Sequence, residues 1–255
     1  MSALPESTVA AKTPRNSHIV RIGILCPDKL VEDGLLRTLH ETSLDEIIVQ
    51  PFDFSNLDLL ICWGHPHKLP VEVLSLPRFG CINMHPSLLP RHRGRIPLAW
   101  ALREGDEAWG ITWHRMDAGF DTGPILAQDT IPIEDTDVDV FEIEAKVRMK
   151  ALEMLPWVLN HVIDLDPGRP QLGTPSYAPR FAEDEYARID RSNTARYVHN
   201  QVRAWNMNRY PFLAPVLPVN IIPRRTSLTE TNGIRIECAD APIWVDLFKI
   251  NWDLK

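Results

Sequence analysis

Asn83 and His85 stand two residues apart at the end of a short apolar run that begins at Cys81. In strand geometry alternate side chains share a face, so the amide and the imidazole project together. Such a pair suits chemistry on a carbonyl: the amide N–H holds a developing oxyanion, and the imidazole donates to it or moves a proton. Pro86 and Pro90 then turn the chain off the sheet, which puts the pair at a strand terminus. On its own, an Asn-x-His is more often a turn cap beside a partly buried histidine. His65, His67, His85, His92 and His114 all fall in this region, and His-x-His at 65 and 67 offers a pair of metal ligands. There is no helical His-Glu-x-x-His, and no metal is expected.

The elements that must position this pair read as an α/β fold. An apolar run over 19–26 ends at Pro27, as a buried parallel strand does. Helical spacing over 31–39 predicts a crossover helix, followed by a brief strand at 46–50 and a clearer one at 57–63, closed by Gly64. A short helix at 71–76 leads to Gly80 and the strand that delivers Asn83. Strands alternating with helices at this spacing predict a Rossmann-like, mostly parallel sheet with flanking helices. No Gly-x-Gly-x-x-Gly follows the first strand and there is no P-loop. A ligand is expected beyond the carboxyl ends of the strands, where Gly64-His65-Pro66-His67 and His85-Pro86 both fall.

Further along, 96–104 predicts a helix with Pro97 in its first turn. Residues 110–115 and 124–133 read as strands flanking a Gly-punctuated loop at 117–123. The Asp135-Thr136-Asp137 cluster reads as a turn and cap for a long amphipathic helix over 140–161, interrupted near Pro156. After Pro167-Gly168-Arg169-Pro170 the periodicity weakens, and we place a domain boundary near 168. Beyond it come a helix over 189–205, proline-rich turns at Pro211, Pro215, Pro218 and Pro223, and a hairpin pattern over 234–248.

Composition narrows the partners. The 255 residues are 44% hydrophobic and 24% charged, ordinary for a globular chain long enough to bury a core. A formal charge of −7 argues mildly against holding a long nucleic acid, which needs a basic field. Cys26, Cys62, Cys81 and Cys238 show no CxxC spacing and read as buried thiols of a reducing compartment, so the cytoplasm is the expected location. No apolar run approaches the ~20 residues that span a bilayer. Residues 1–17 are small and polar without an apolar stretch, and are expected to form a disordered tail.

The block Asn83-Met84-His85-Pro86-Ser87-Leu88-Leu89-Pro90, then Arg93-Gly94, then Asp117-Ala118-Gly119-Phe120-Asp121-Thr122-Gly123, resembles the folate-dependent formyltransferase family. The family includes methionyl-tRNA, glycinamide ribonucleotide and sugar N-formyltransferases. The resemblance is best over 57–137 and weaker towards the C-terminus. It implies a formyltransferase catalytic domain over 18–168, a linker helix and small β region over 169–255, and 10-formyltetrahydrofolate as the co-substrate.

By this resemblance Asn83, His85 and Asp121 correspond to the catalytic Asn, His and Asp. Asn83 then donates to the former formyl oxygen, and His85 adds a second donor. Asp121 beside His85 is expected to raise the imidazole's pKa, keep it protonated, and accept the amine's proton. Read alone, Asp121 is an Asx-turn residue before Thr122-Gly123. The folate pocket is expected at His65, His67, Lys68 and Leu69, and at Met116, Asp117 and Phe120. Leu69 taken alone reads as core.

On the acceptor side the resemblance implies Ser87, Arg93, Arg95 and Pro97. Methionyl-tRNA formyltransferases usually follow Arg-Gly with two small residues and proline. Here Arg93-Gly94-Arg95-Ile96-Pro97 is more similar to the sugar and peptide-synthetase enzymes. Arg95 suits a phosphate or carboxylate, or equally a surface ion pair. Between Ile22 and Asn83 there is no room for a long basic insertion. The expected acceptor is a small primary amine, a nucleotide-linked amino sugar first and an amino acid, free or carrier-bound, second. Methionyl-tRNA formyltransferase is the alternative, followed by a formyltetrahydrofolate hydrolase and an inactive folate-binding module. The C-terminal hairpin reads as a small β cap, a homodimer contact or a structural tail.

Overall fold

The computed structural model describes residues 20–42, 47–50, 54–181, 189–207 and 223–247. The 1–17 tail and the turns at Pro211, Pro215 and Pro218 lie outside them. The central sheet has six strands in the order β2-β1-β3-β4-β6-β7. They are β1 (Val20–Leu25), β2 (Ile47–Gln50), β3 (Leu59–Trp63), β4 (Cys81–His85), β6 (Ala108–Arg115) and β7 (Ile125–Pro132). The first four are parallel; β6 runs antiparallel to β4, and β7 to β6. The parallel part follows from helical crossovers, α1 (Lys29–His40) between β1 and β2 and α2 (Val71–Leu74) between β3 and β4. β6 and β7 are joined directly by the Gly-punctuated loop, which permits only the antiparallel sense.

β4 leads into a short β5 (Arg93–Gly94) and then α3 (Pro97–Glu104), with Pro97 in the first turn and Gly105 at φ +73 closing the helix. α4 (Val140–Ile163) packs on α1, β6 and β7. Its cap is Asp139, whose Oδ1 accepts from Phe141 N at 2.9 Å, and not the 135–137 cluster. A capping carboxylate must sit immediately before the first helical residue. Asp137, two residues further back, instead accepts from Trp109 Nε1 and Glu134 N and pairs with Lys146. The helix also runs unbroken through Pro156. Leu155, Val158, Leu159 and Val162 bury the face opposite the exposed proline, and Asn160 Nδ2 donates to the Pro156 carbonyl at 3.0 Å. Core packing overrides the lost backbone bond there.

β8 (Tyr177–Ala178) pairs with β5, so the chain beyond 168 returns to the half that carries the central sheet. α5 (Ala195–Met207) packs on α3 and contributes Val198, Val202 and Ala204 to the main core. β9 (Pro223–Ser227), β10 (Ile234–Glu237) and β11 (Pro242–Leu247) form a small antiparallel sheet in the order β10-β11-β9. The main core centres on Trp109 and Trp113, both fully buried on β6, with Trp63 edge-on to Trp113 at 5.7 Å. No helix among the described residues is long and apolar enough to cross a membrane.

Candidate active site

His85 ends β4 with Asn83 two residues before it, and the register sets Asn83 opposite His114 of β6. That pairing across the sheet has a direct consequence. His114 Nδ1 lies 2.8 Å from the Arg115 carbonyl, which can only accept, so Nδ1 carries a proton, and in the neutral ring Nε2 is the acceptor. Asn83 Nδ2 donates to that Nε2 at 3.1 Å. Its second N–H points at Asp121 Oδ1 across a long 3.5 Å. In the sequence His114 is only one of several nearby histidines; its antiparallel register against Asn83 is what brings it into the site.

Asp121 comes from the loop between β6 and β7 and sits at φ +53, a conformation that Asp tolerates better than most residues. Its Oδ2 accepts from Gly94 N at 2.9 Å and lies 3.6 Å from His85 Nδ1, while Oδ1 lies 3.7 Å from His114 Nε2. Gly94, at φ +115, is what lets the backbone aim its N–H here. Gly123 closes the same loop: a Cβ there would stand 1.9 Å from the Arg115 carbonyl oxygen. Gln171 holds the loop from outside, donating from Nε2 to the Asp121 and Gly123 carbonyls, both at 2.8 Å. No spacing in the sequence marks Gln171, which is fifty residues away.

The electrostatics revise one expectation. Burial is the largest influence on His85 and lowers its pKa; Asp121 and the His92 carbonyl oppose this only in part. The imidazole is therefore neutral at rest, not held protonated by Asp121. A fully enclosed ring loses more hydration than a carboxylate 3.6 Å away returns. His85 Nε2 lies 2.8 Å from the His92 carbonyl and must donate, so Nδ1, facing Asp121, is the nitrogen that titrates. For Asp121, burial alone would raise the carboxyl, yet the His114 and His85 rings in their charged forms, His114 as a donor first, and the Gly94 N–H outweigh it. They hold it down to about 2.

Two cavities flank the strand end. The smaller, about 60 Å³, is lined by Asn83 and Asp121 and by all seven residues expected around the folate: His65, His67, Lys68, Leu69, Met116, Asp117 and Phe120. Leu69 is also core, packed with Leu25, Leu57 and Leu60, so its two readings coexist. Phe120 is 59% exposed with the Lys68 ammonium 5.7 Å from its ring centre, and Asp117 Oδ1 accepts from Gly119 N and Thr122 Oγ1 to shape the loop. His65 and His67 stand ring to ring at 5.7 Å, and burial, then His67, lowers the pKa of His65.

The larger cavity, about 670 Å³, is lined by Met84 and Pro86 on either side of His85, with Arg95 and Pro97 among its walls. Arg148 of α4, Arg180 and Met207 also line it, the last two from beyond 168. Two of the expected acceptor residues point elsewhere. Ser87 is buried and donates to the Arg91 carbonyl at 2.7 Å, and Arg93 is engaged with Gln171 Oε1. Each lines neither cavity and supports the loop that carries the site.

Residues 27–159, just over half of the chain, match the family model described as formyl transferase. The methionyl-tRNA formyltransferase of Pelotomaculum thermopropionicum is 40% identical over 197 residues, covering 74% of this chain and 56% of that protein. That of Thermosynechococcus vestitus is 37% identical over 155 residues, or 61% of this chain and 45% of its own. The chain thus spans about half the length of the curated relatives it matches. Among solved structures, HypX from Aquifex aeolicus in complex with tetrahydrofolic acid superposes with a TM-score of 0.70 at 20% identity, over 89% of this chain and 43% of that one. The N-formyltransferase of Helicobacter canadensis, in complex with folinic acid and dTDP-3-aminofucose, gives 0.71 at 16% identity, over 90% of this chain and 100% of that one. At those identities the likeness is one of fold. With the family model covering the strand end, the 117–123 loop and most of α4, the chain belongs to the formyl transferase family.

Proposed function

We propose that the protein transfers the formyl group of 10-formyltetrahydrofolate to the primary amine of a small, anion-bearing acceptor, a nucleotide-linked amino sugar foremost. The observation that carries this reading is the convergence of Asn83, His85 and Asp121 beside a narrow cleft that Asn83 and Asp121 themselves line. The narrow cleft combines apolar walls (Leu69, Leu74, Met116) with polar edges, a lining whose chemistry suits the edge of a flat heteroaromatic ring, and it includes Asn83 and Asp121 themselves. Bound there, the folate supplies the formyl carbon to the strand end.

The chain's own groups divide the work. The second N–H of Asn83 turns from its long contact with Asp121 to the developing oxyanion; such a donor is worth about 3–4 kcal/mol. Neutral His85 takes the proton from the attacking amine at Nδ1, and the carboxylate of Asp121 stabilises the imidazolium so formed. The same proton then passes to the departing nitrogen, so His85 returns to its resting state. With its carboxyl at about 2, Asp121 is too weak a base to act alone and serves as the fixed negative charge.

The acceptor class rests on the wide cavity. Its 670 Å³ lies within the usual range of ligand sites, about 300–1,000 Å³. Arg95 and Arg148 both line it, and neither guanidinium has a hydrogen-bond or carboxylate partner among the described residues. Two unpaired guanidinium groups in one cavity suit a phosphate or carboxylate on the far end of the acceptor. Methionyl-tRNA is the second reading, favoured by the names of the sequence relatives. The net charge of −7 and the Arg95-Ile96-Pro97 segment stand against it.

Incubation with 10-formyltetrahydrofolate and separate acceptors decides the matter through tetrahydrofolate release. Release only with nucleotide-linked amino sugars supports the proposal. Release without any amine points to a hydrolase, and release only with methionyl-tRNA to the second reading. No release under any condition, with folate bound, marks a binding module.

A further inference from the structure

We infer that His92, held by Asp106 and Ser176, is the positioning residue that fixes which nitrogen of His85 carries the proton. The inference rests on the proposed role of His85. The His92 carbonyl accepts from His85 Nε2 at 2.8 Å, and that bond alone leaves Nδ1 free to face Asp121. A carbonyl aimed this way needs an unusual backbone: His92 sits at φ +56 and is 2% exposed.

Three contacts hold it there. The His92 N–H donates to Ser176 Oγ at 2.9 Å, and ring Nδ1 lies 3.4 Å from the same hydroxyl. Ring Nε2 lies 2.8 Å from Asp106 Oδ2. Arg91 fixes Asp106 in turn, reaching its Oδ1 at 2.5 Å and Glu104 Oε2 at 2.9 Å. His92, Glu104 and Asp106 could together ligate a cation, their ligand atoms lying within 4.8 Å of one another. The Arg91 guanidinium already bridges both carboxylates and supplies the positive charge, so the cluster reads as a clamp on His92.

The charged and titratable groups around His92 are thus Arg91, Glu104, Asp106 and His85; around His85 they are Asp121, His92 and His114. Ser176 lies outside the 27–159 segment that carries the family match. The chain beyond 168 therefore reaches the catalytic imidazole through one hydroxyl and one backbone carbonyl.

The test compares Ser176→Ala and His92→Asn with the parent protein; Asn tolerates positive φ but cannot reach Asp106. Imidazole ¹⁵N signals of His85 should show a proton on Nε2 in the parent and a mixture of tautomers in both variants. kcat should fall about 10- to 100-fold, as when an outer partner of a catalytic imidazole is removed, with tetrahydrofolate binding changed by less than about threefold. The acid limb of the kcat profile should move, and Ser176→Thr should restore all three readouts. Folded variants with unchanged kcat and tautomer overturn the inference. So does a loss of kcat that follows a loss of folded protein while the pH profile stays in place. His85→Asn separates the two levels. Retained turnover there removes the role proposed for His85 itself. Lost turnover there with silent Ser176 and His92 variants overturns only the clamp.

Discussion

Replacing Asp121 by Asn tests the charge logic of the site with little change of shape. Asn accepts the φ of +53 that this position demands, and its Oδ1 can still receive the Gly94 N–H. What disappears is a full negative charge 3.6 Å from His85 Nδ1. At an effective dielectric of about 20, a carboxylate and an imidazolium at that distance attract by about 4–5 kcal/mol. The amide dipole restores part of this, so kcat should fall about a hundred- to a thousandfold. Stability should fall as well. Asp121 titrates at about 2 when folded against an ordinary 3.8, so its folded pKa is depressed. Its contribution, about 2 kcal/mol, is then complete above about pH 4 and is lost as pH falls through 2. The variant should therefore melt lower than the parent at pH 7, and the two should converge in strong acid. Tetrahydrofolate formation, followed by absorbance with the preferred acceptor, gives kcat, and urea denaturation gives stability. A folded Asp121→Asn protein that turns over within about tenfold of the parent would refute the charge role assigned here.

Three further outcomes follow from the same geometry. Because burial lowers the His85 pKa and its neutral form accepts the proton, kcat/KM should stay high at pH 6.5 and fall only in more acid buffer. A midpoint above 6.5 would contradict a buried neutral imidazole. Arg148→Met should raise the acceptor KM by about 10- to 100-fold, the worth of a charge-assisted contact, and leave the folate KM alone; an unchanged acceptor KM would remove the anion subsite. Gly123→Ala drives a methyl to 1.9 Å from the Arg115 carbonyl, so the loop bearing Asp121 must shift. A stability loss above about 2 kcal/mol with kcat reduced is expected, and a neutral substitution would show that the loop is looser than its packing indicates.

Much of the fold could be read from local pattern. The strands ending at Leu25, Trp63 and His85, and the helix opened by Pro97, are short-range signals of apolar runs and proline or glycine punctuation. Pro156 and the 135–137 cluster misled because both compete with packing. The buried face around Leu155 and Val158 keeps α4 whole, and Asp137 is drawn to Trp109 and Lys146 instead of the helix end. Ser87 and Arg93 sit in a motif that resemblance assigns to the acceptor, yet the chain uses both to hold its own loops.

By itself the sequence determined that an amide and an imidazole share one face of a strand end, because a two-residue spacing leaves no other choice in extended backbone. It also placed the Asp121 loop and the histidines at 65 and 67 near that end through resemblance to a family. Only the tertiary structure decided which distant groups meet the amide, the ring nitrogens and the carboxylate. His114 orients Asn83 across thirty-one residues, Gln171 holds Asp121 across fifty, and Ser176 steadies His92 across eighty-four. Each of those bonds exists because β6 pairs with β4 and the chain returns along β8. Periodicity describes a residue's own element and says nothing of which distant carbonyl it will meet.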